Sequence, residues 1–244
     1  MPFEKKSRYV IPGNVSSQFI SGLLMALPLA DWDSEIVIDG PLQSEAYVRL
    51  TEDTLRESGI EVGAECRTPR ANFDGFRWRI RGGQRYRFTG GCEVEGDWSQ
   101  AAFFLAMGVE VKGLKDDSHQ GDKAVVELLE RIREDEGTID VAQTPDLYPV
   151  LAATAAALGR KVTFTGTERL RLKESDRIAS TAALIESVKN GKPVNTFGDH
   201  RIAMSAAVMA CYSKIPVTVE GAECVAKSYP DFWGDFEKLE RKDA

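Results

Sequence analysis

The sequence predicts an α/β protein of repeated βαβαββ-like units, with apolar helices buried inside and mixed sheets outside. Three observations point there. Four segments share one layout: a polar start, a small-residue apolar helix, a short link, and a strand of alternating apolar residues that ends in Gly. A second, amphipathic helix follows each strand at a closely similar spacing. The composition, 43% hydrophobic and 28% charged over 244 residues, suits a sizeable core under a charged surface.

The first segment runs from Ser16-Ser17-Gln18 through FISGLLMALPL to the strand EIVIDG. The second runs from Asp97-Trp98-Ser99 through QAAFFLAMG to VEVKG, and the third from Pro145-Asp146 through LYPVLAATAAALG to KVTFTG. The fourth runs from Asp199-His200-Arg201 through IAMSAAVMACYS to PVTVEG. Each helix is apolar or small nearly all round, which predicts burial on every side. Each begins at a Ser or Asp able to cap the free amides of a first turn. The strands alternate with period two. The amphipathic helices are expected to begin near Glu45, Gly121, Ser175 and Tyr229, with the charges of stretches such as AVVELLERIRED on a solvated face. The stretch GIEVGAE…FRWRIRGGQRYRF predicts a hairpin after the first unit.

Charge and cysteine content narrow the function classes. A net charge of −7 argues against a global nucleic-acid or anionic-membrane binder, though a local cationic pocket is compatible with it. No apolar run reaches the roughly 18 residues of a membrane helix, and MPFEKK has no signal-peptide stretch, so a cytoplasmic protein is expected. Cys66, Cys92, Cys211 and Cys224 have irregular spacings and read as cytosolic thiols rather than disulfides or zinc ligands. With only His119 and His200 beside them, no metal site is expected.

Four cations stand out in this acidic chain: Lys173, Arg177, Arg201 and Lys227, each near a strand end or helix start. If they converge, their target is an anion carrying phosphate and carboxylate groups, which Arg forks bind bidentately and Lys meets as a point charge. Singly, each reads first as an ordinary surface salt bridge, such as Lys173 with Asp176; their shared placement at unit edges weakens that reading. Asp146 and Glu174 are candidate base and acid, since chemistry that removes and donates a proton needs two groups tuned apart. Asp146 also suits an N-cap, and both readings can hold. His200 could orient a phosphate or satisfy a core hydrogen bond. His119, in a polar loop, has no assigned role. Ser16, Ser17 and Gln18 can cap a helix and bind a ligand phosphate.

The stretches GNVSSQFISGLL, EGDWSQAAFFL, RLKESDRI, GDHRIAM and KSYPDFW, in this order, resemble the EPSP synthase (3-phosphoshikimate 1-carboxyvinyltransferase) family, from about Tyr9 to about Leu239. The resemblance implies transfer of the enolpyruvyl group of phosphoenolpyruvate to the 5-hydroxyl of shikimate 3-phosphate, releasing phosphate, in the shikimate pathway of aromatic amino-acid and chorismate biosynthesis. It implies no metal or organic cofactor, and an enolpyruvyl-transferase fold of two domains with the active site in the cleft between them. Ser16, Ser17 and Gln18 match the shikimate 3-phosphate stretch, Ser44 and Tyr47 a further substrate-contacting pair. Asp146 matches the carboxylate facing the 5-hydroxyl, Lys173 the lysine at the reacting oxygen, and Glu174 the proton donor to the methylene. Arg177, Arg201 and Lys227, with Gln18, match the phosphoenolpyruvate contacts. Glyphosate, which competes with phosphoenolpyruvate in this family, would meet the same cations.

Three departures from the family pattern shape the expectation. The early LPGSKS-like and NAGT-like segments, with their substrate-binding cations, have no counterpart, so residues 1–90 read as one remaining unit of the N-terminal domain. Residues 91–244 read as a C-terminal domain of about three shortened units, lacking a two-strand hairpin before Asp146 and another before Asp199. The chain also ends just after its last helix. A fragment, a split gene product or a deliberately shortened form is therefore expected. A non-catalytic binding fragment that needs a complementary N-terminal half, or that self-associates, is the alternative to a transferase. The related transferase acting on UDP-N-acetylglucosamine is disfavoured by KESDR and SSQF.

Overall fold

The structure is a computed structural model that describes residues 6–14, 16–66, 76–87, 90, 91, 93–134 and 137–239. The chain divides into two compact units. The first takes in the described residues up to Val94 together with His119–Gly121, and the second Glu95–Ser118 and the described residues from Asp122 onward.

The first unit opens with strand β1 (Arg8–Pro12), helix α1 (Ser17–Ala26) and strand β2 (Ser34–Asp39). Helix α2 (Glu45–Glu57) follows, then β3 (Val62–Cys66) and β4 (Phe76–Ile80). The sheet order is β1-β2-β4-β3, with β1 and β2 parallel and the other pairs antiparallel. Alternation sets the faces of β4: Trp78 and Ile80 enter the core, while Arg77 turns outward to Glu35 at 3.0 Å. The expected hairpin forms between β3 and β4; residues 67–75 lie outside the described residues, and Gln84–Arg87 form no strand. Ile20, Leu24 and Leu27 of α1 and the turn after it pack with Ile36, Ile38, Val48, Leu55 and Trp78.

The prediction of burial on every side fails for α1. Phe19 is 61% exposed, Met25 46% and Leu29 56%. Phe19 and Met25 lie on the side of α1 away from the core-facing Ile20 and Leu24, and Leu29 follows in the turn after the helix.

The second unit begins with α3 (Trp98–Ala106) and α4 (Val125–Arg133). Next come β5 (Thr138–Asp140), α5 (Tyr148–Ala157), β6 (Thr163–Thr165) and α6 (Arg177–Lys189). The last turn of this pattern is β7 (Val194–Asn195), α7 (His200–Tyr212), β8 (Val219–Glu220) and the short α8 (Phe232–Glu237). Here α5 and α7 are buried as the sequence predicts, with Val150, Leu151 and Ala153 from one and Ile202, Met204 and Ala206 from the other among the core residues. The sheets are narrow: among the described residues β5 pairs only with β6 and β7 only with β8, both parallel. The expected strand VEVKG is not formed; Val109–Gly113 has no ladder among the described residues. Val109 and Val111 instead pack their side chains on the core of this unit.

Two glycines join strand ends in the same manner. Gly166 follows β6 at φ +68, and a Cβ there would strike the Asp140 carboxylate and approach the Ala142 amide to 2.6 Å. Gly221 follows β8 at φ +75, where a Cβ would come within 2.5 Å of Thr196 Oγ1. In each pair only Gly gives both the left-handed turn and the close approach to the loop leaving the partner strand.

Candidate active site

The sequence-predicted residues fall into two groups, one in each unit. In the first unit β1 and β2 are parallel, so the helices that follow them start at the same sheet end, where α/β folds build sites. Gly13 N–H donates to the Asp39 carbonyl at 2.8 Å, and Gln43 N–H donates to the Gly13 carbonyl at 3.1 Å, tying the two loops together. Ser16 caps α1 by accepting from Gln18 N–H at 3.2 Å; Ser17 is buried and Gln18 exposed. Ser44, at the start of α2, is buried and holds φ at +56. A left-handed non-glycine residue is strained and concentrates at functional positions. Tyr47 lies in the first turn of the same helix.

In the second unit all the candidates follow strand C-terminal ends. Asp146 lies in the turn after β5, Lys173 and Glu174 in the loop after β6, Arg201 in the first turn of α7 after β7, and Lys227 in the turn after β8. These loops bring them together. The Asp146 carboxylate meets Arg177 Nη1 at 2.5 Å, Lys173 Nζ at 3.2 Å and Arg201 Nη2 at 3.4 Å. Glu174 accepts from Arg177 Nη2 and from Lys227 Nζ, each at 2.7 Å. The four cations therefore converge, each paired with one or both of the Asp146 and Glu174 carboxylates.

Asp146 does not cap its helix. The capping position of α5 is Leu147, with no side-chain bond, because the Asp146 carboxylate is drawn to the cations instead. Lys173 pairs with Asp146 rather than Asp176, whose carboxylate caps α6 through Ile178 and Ala179 N–H. The salt-bridge alternative drawn from sequence order thus gives way to a pairing across the fold.

The electrostatics follow from this packing. Burial opposes ionisation of Asp146, yet Arg201, Lys173 and Arg177 outweigh it and hold its carboxyl far below the usual range. Burial also pushes Glu174 upward, and the Lys227 hydrogen bond, its own backbone amide and the Arg177 charge bring it down to about 2. Both are ionised at neutral pH. Burial and then the Arg201 charge lower the His200 pKa, which keeps its imidazole neutral. His200 Nδ1 stands 3.9 Å from Asp199, too far for a hydrogen bond.

Sequence reasoning assigned no site role to three residues that hold the cations directly or through one another. Asp199 is fully buried and accepts from Arg177 Nε at 2.9 Å. Ser175 Oγ donates to the same Asp199 oxygen at 3.0 Å. Ser99, in the first turn of α3, accepts from Arg201 Nη1 at 2.6 Å. The available signal was their place inside EGDWSQ, KESDR and GDHRIAM, beside residues already singled out. Among the described residues no group of three or more His, Cys, Asp or Glu side chains is arranged to hold a metal ion, and no helix is long and apolar enough to cross a membrane.

Comparison with known proteins agrees with these motifs. The family model for EPSP synthase (3-phosphoshikimate 1-carboxyvinyltransferase) matches residues 2–236. The 3-phosphoshikimate 1-carboxyvinyltransferase of Clostridium kluyveri is 38% identical over 278 aligned positions, covering 96% of this chain and 62% of that protein. Its counterpart in Clostridium acetobutylicum is 36% identical, covering 96% of this chain and 61% of the relative. The chain thus spans about three-fifths of the length of these relatives. Because 278 positions exceed the 244 residues of this chain, the aligned part of the C. kluyveri protein also holds residues without counterpart here. Two structures of EPSP synthase from Acinetobacter baumannii share the fold, with TM-scores of 0.69 and 0.70 at 23% and 21% identity. They cover 93% and 96% of this chain, which matches 61% and 62% of theirs. The chain belongs to the EPSP synthase (3-phosphoshikimate 1-carboxyvinyltransferase) family.

Proposed function

We propose that this chain carries the proton-transfer and phosphoenolpyruvate-binding groups of an enolpyruvyl transfer to the 5-hydroxyl of shikimate 3-phosphate, with release of phosphate. One observation carries the reading: Lys173, Arg177, Arg201 and Lys227 meet around Asp146 and Glu174 at the strand ends of one unit. Arg177, Arg201 and Lys227 receive the phosphate and carboxylate of phosphoenolpyruvate as forks and a point charge. Asp146 takes the proton of the attacking hydroxyl, with Lys173 beside the reacting oxygen; it becomes basic enough to do so as the ligand anions draw off the Arg177 and Arg201 contacts that hold its carboxyl down. Glu174 gives a proton to the methylene carbon. The hydroxyl oxygen then bonds to the carbon bearing the phosphate, forming a tetrahedral intermediate. Phosphate leaves with its bonding electron pair as the new methyl group returns a proton to the Glu174 carboxylate, restoring the double bond. In the first unit, Ser16, Ser17, Gln18, Ser44 and Tyr47 supply hydroxyl and amide groups at two helix starts for shikimate 3-phosphate.

Glu174 can donate only when protonated, and its present partners keep it ionised. A ligand anion that takes over Lys227 and Arg177 removes the contacts that hold its carboxyl down, so binding itself prepares the acid.

A second reading is favoured by the exposed Phe19 and Met25 of α1 and Leu29 of the turn after it, an apolar stripe on the first unit. In that reading the chain binds substrate but turns over only with a complementary N-terminal segment, or after self-association. The test is phosphate release from phosphoenolpyruvate and shikimate 3-phosphate, by the chain alone and then with such a segment. Release by the chain alone supports the first reading; release only with the segment supports the second. In both, Glu174→Gln should abolish it. No release in either mixture, or release that survives Glu174→Gln, overturns the transferase reading.

A further inference from the structure

We infer that Asp199 is a positioning residue that aims Arg177, and with it Arg201, toward the bound anion without touching that anion itself. The inference rests on the anion-binding reading of the cluster given above.

Arg177 is only 1% exposed, and each of its three guanidinium nitrogens meets a different carboxylate. The three contacts are not alike. Asp146 and Glu174 hold the two Nη atoms, and both carboxylates retain solvent exposure. Asp199 holds Nε and is wholly enclosed. A guanidinium is planar and rigid, so fixing Nε–H fixes the direction of both Nη edges. A ligand anion can replace the two outer carboxylates. It cannot reach the Nε contact.

The remaining bonds of Asp199 point the same way. Its Oδ2 accepts from Ser175 Oγ as well as from Arg177 Nε, and Ser175 Oγ lies 2.9 Å from Ser180 Oγ, one turn into α6. Its Oδ1 accepts from Arg201 N–H at 3.0 Å and so caps α7 at the turn that carries Arg201. One carboxylate thereby ties the loop of Lys173 and Glu174, the start of α6 and the start of α7. A residue that served only to neutralise Arg177 would need none of these directional bonds.

The two roles differ in sign, which makes them separable. If Asp199 merely balances charge, Asp199→Asn leaves the cluster more cationic and tightens anion binding. If Asp199 aims Arg177, the same change weakens it: the amide can still cap α7 through its oxygen, but its NH2 then faces the Arg177 Nε–H, donor against donor. The expected result for the full chain is a Kd for phosphoenolpyruvate, and for inorganic phosphate, raised at least about tenfold, which is about 1.4 kcal/mol. Ser175→Ala, which leaves the carboxylate in place, should weaken binding less. Leu184→Ala, a core change on α6, serves as the control for lost stability. It should lower the melting temperature and leave both Kd values near wild type.

A second readout does not depend on binding. The Nε–H of a buried, charge-paired guanidinium gives a slowly exchanging 15N–1H signal, and that of Arg177 should move and exchange faster in Asp199→Asn but not in Leu184→Ala. Unchanged or tighter anion binding in Asp199→Asn, or an Arg177 signal left where it was, overturns the inference. If the wild-type chain binds neither probe, the anion-site reading fails, and the Arg177 signal still decides whether Asp199 orients that side chain.

Discussion

At the scale of single residues the site is a set of charges that satisfy one another: Asp146 and Glu174 pair with Lys173, Arg177, Arg201 and Lys227. Asp146 and Glu174 both titrate below their ordinary range in the folded chain. Groups of this kind stabilise the fold fully above their unfolded pKa and cease to do so as pH falls through the folded value. For Glu174 that window runs from about 4.5 down to about 2, and Asp146 extends the same trend. The chain should therefore lose thermal stability on acidification below about pH 5. Glu174→Gln should show a shallower loss over that range, measured as melting temperature against pH. An identical slope in the two proteins would mean that Glu174 is not held by Lys227 and Arg177 in solution. The residues of this cluster could be picked from the sequence, because cations are few at the helix starts of an acidic chain. Their pairing could not. Arg177 meets Asp146 and Asp199 from 31 and 22 positions away, and local order instead suggested Lys173 with Asp176 and Asp146 as a cap.

At the scale of elements, the parallel pairs β5-β6 and β7-β8 each end in a glycine packed against the loop of the partner strand. The turn at Gly166 leads into the loop that carries Lys173 and Glu174. Gly166→Ala should destabilise the chain by about 1–3 kcal/mol through positive φ alone, and by more through its approach to the Ala142 backbone. The loss should appear in chemical denaturation as a lower midpoint with an unchanged slope. Wild-type stability in this variant would show that the two loops are not in contact. These glycines were visible as the last letter of each repeat, as were the period of β4 and the burial of α5 and α7. The missing strand at VEVKG marks the limit of such reading: alternation specifies which side chains turn inward, while a ladder needs a partner strand within reach. Burial of α1 on all sides was misjudged for the same reason, since apolar character tells what a face tolerates and not what covers it.

At the scale of the whole molecule, the chain spans about three-fifths of its relatives and leaves the α1 stripe uncovered in its own unit. If a complementary segment or a second copy covers that stripe, Phe19→Asp combined with Met25→Glu should weaken the association at least about tenfold. Both residues point away from the core, so the melting temperature should hardly change. Sedimentation velocity of the chain, with and without the segment, measures both. Association unaffected by the two acidic substitutions would place the contact elsewhere. Nothing in the sequence pattern alone marked this face, because Phe19, Gly22 and Met25 have the same character as the buried positions between them.

The most direct measurement is the proton balance of phosphoenolpyruvate binding in the presence of shikimate 3-phosphate. It is obtained by calorimetric titration in buffers of different ionisation enthalpy, with the complementary segment present if that is what restores release. The wild-type protein should take up more protons on binding than Glu174→Gln, because the ligand draws Lys227 and Arg177 away from the carboxylate they now hold ionised. Proton uptake identical in the two proteins, with phosphoenolpyruvate bound by both, would contradict the view that the anion and Glu174 compete for the same cations.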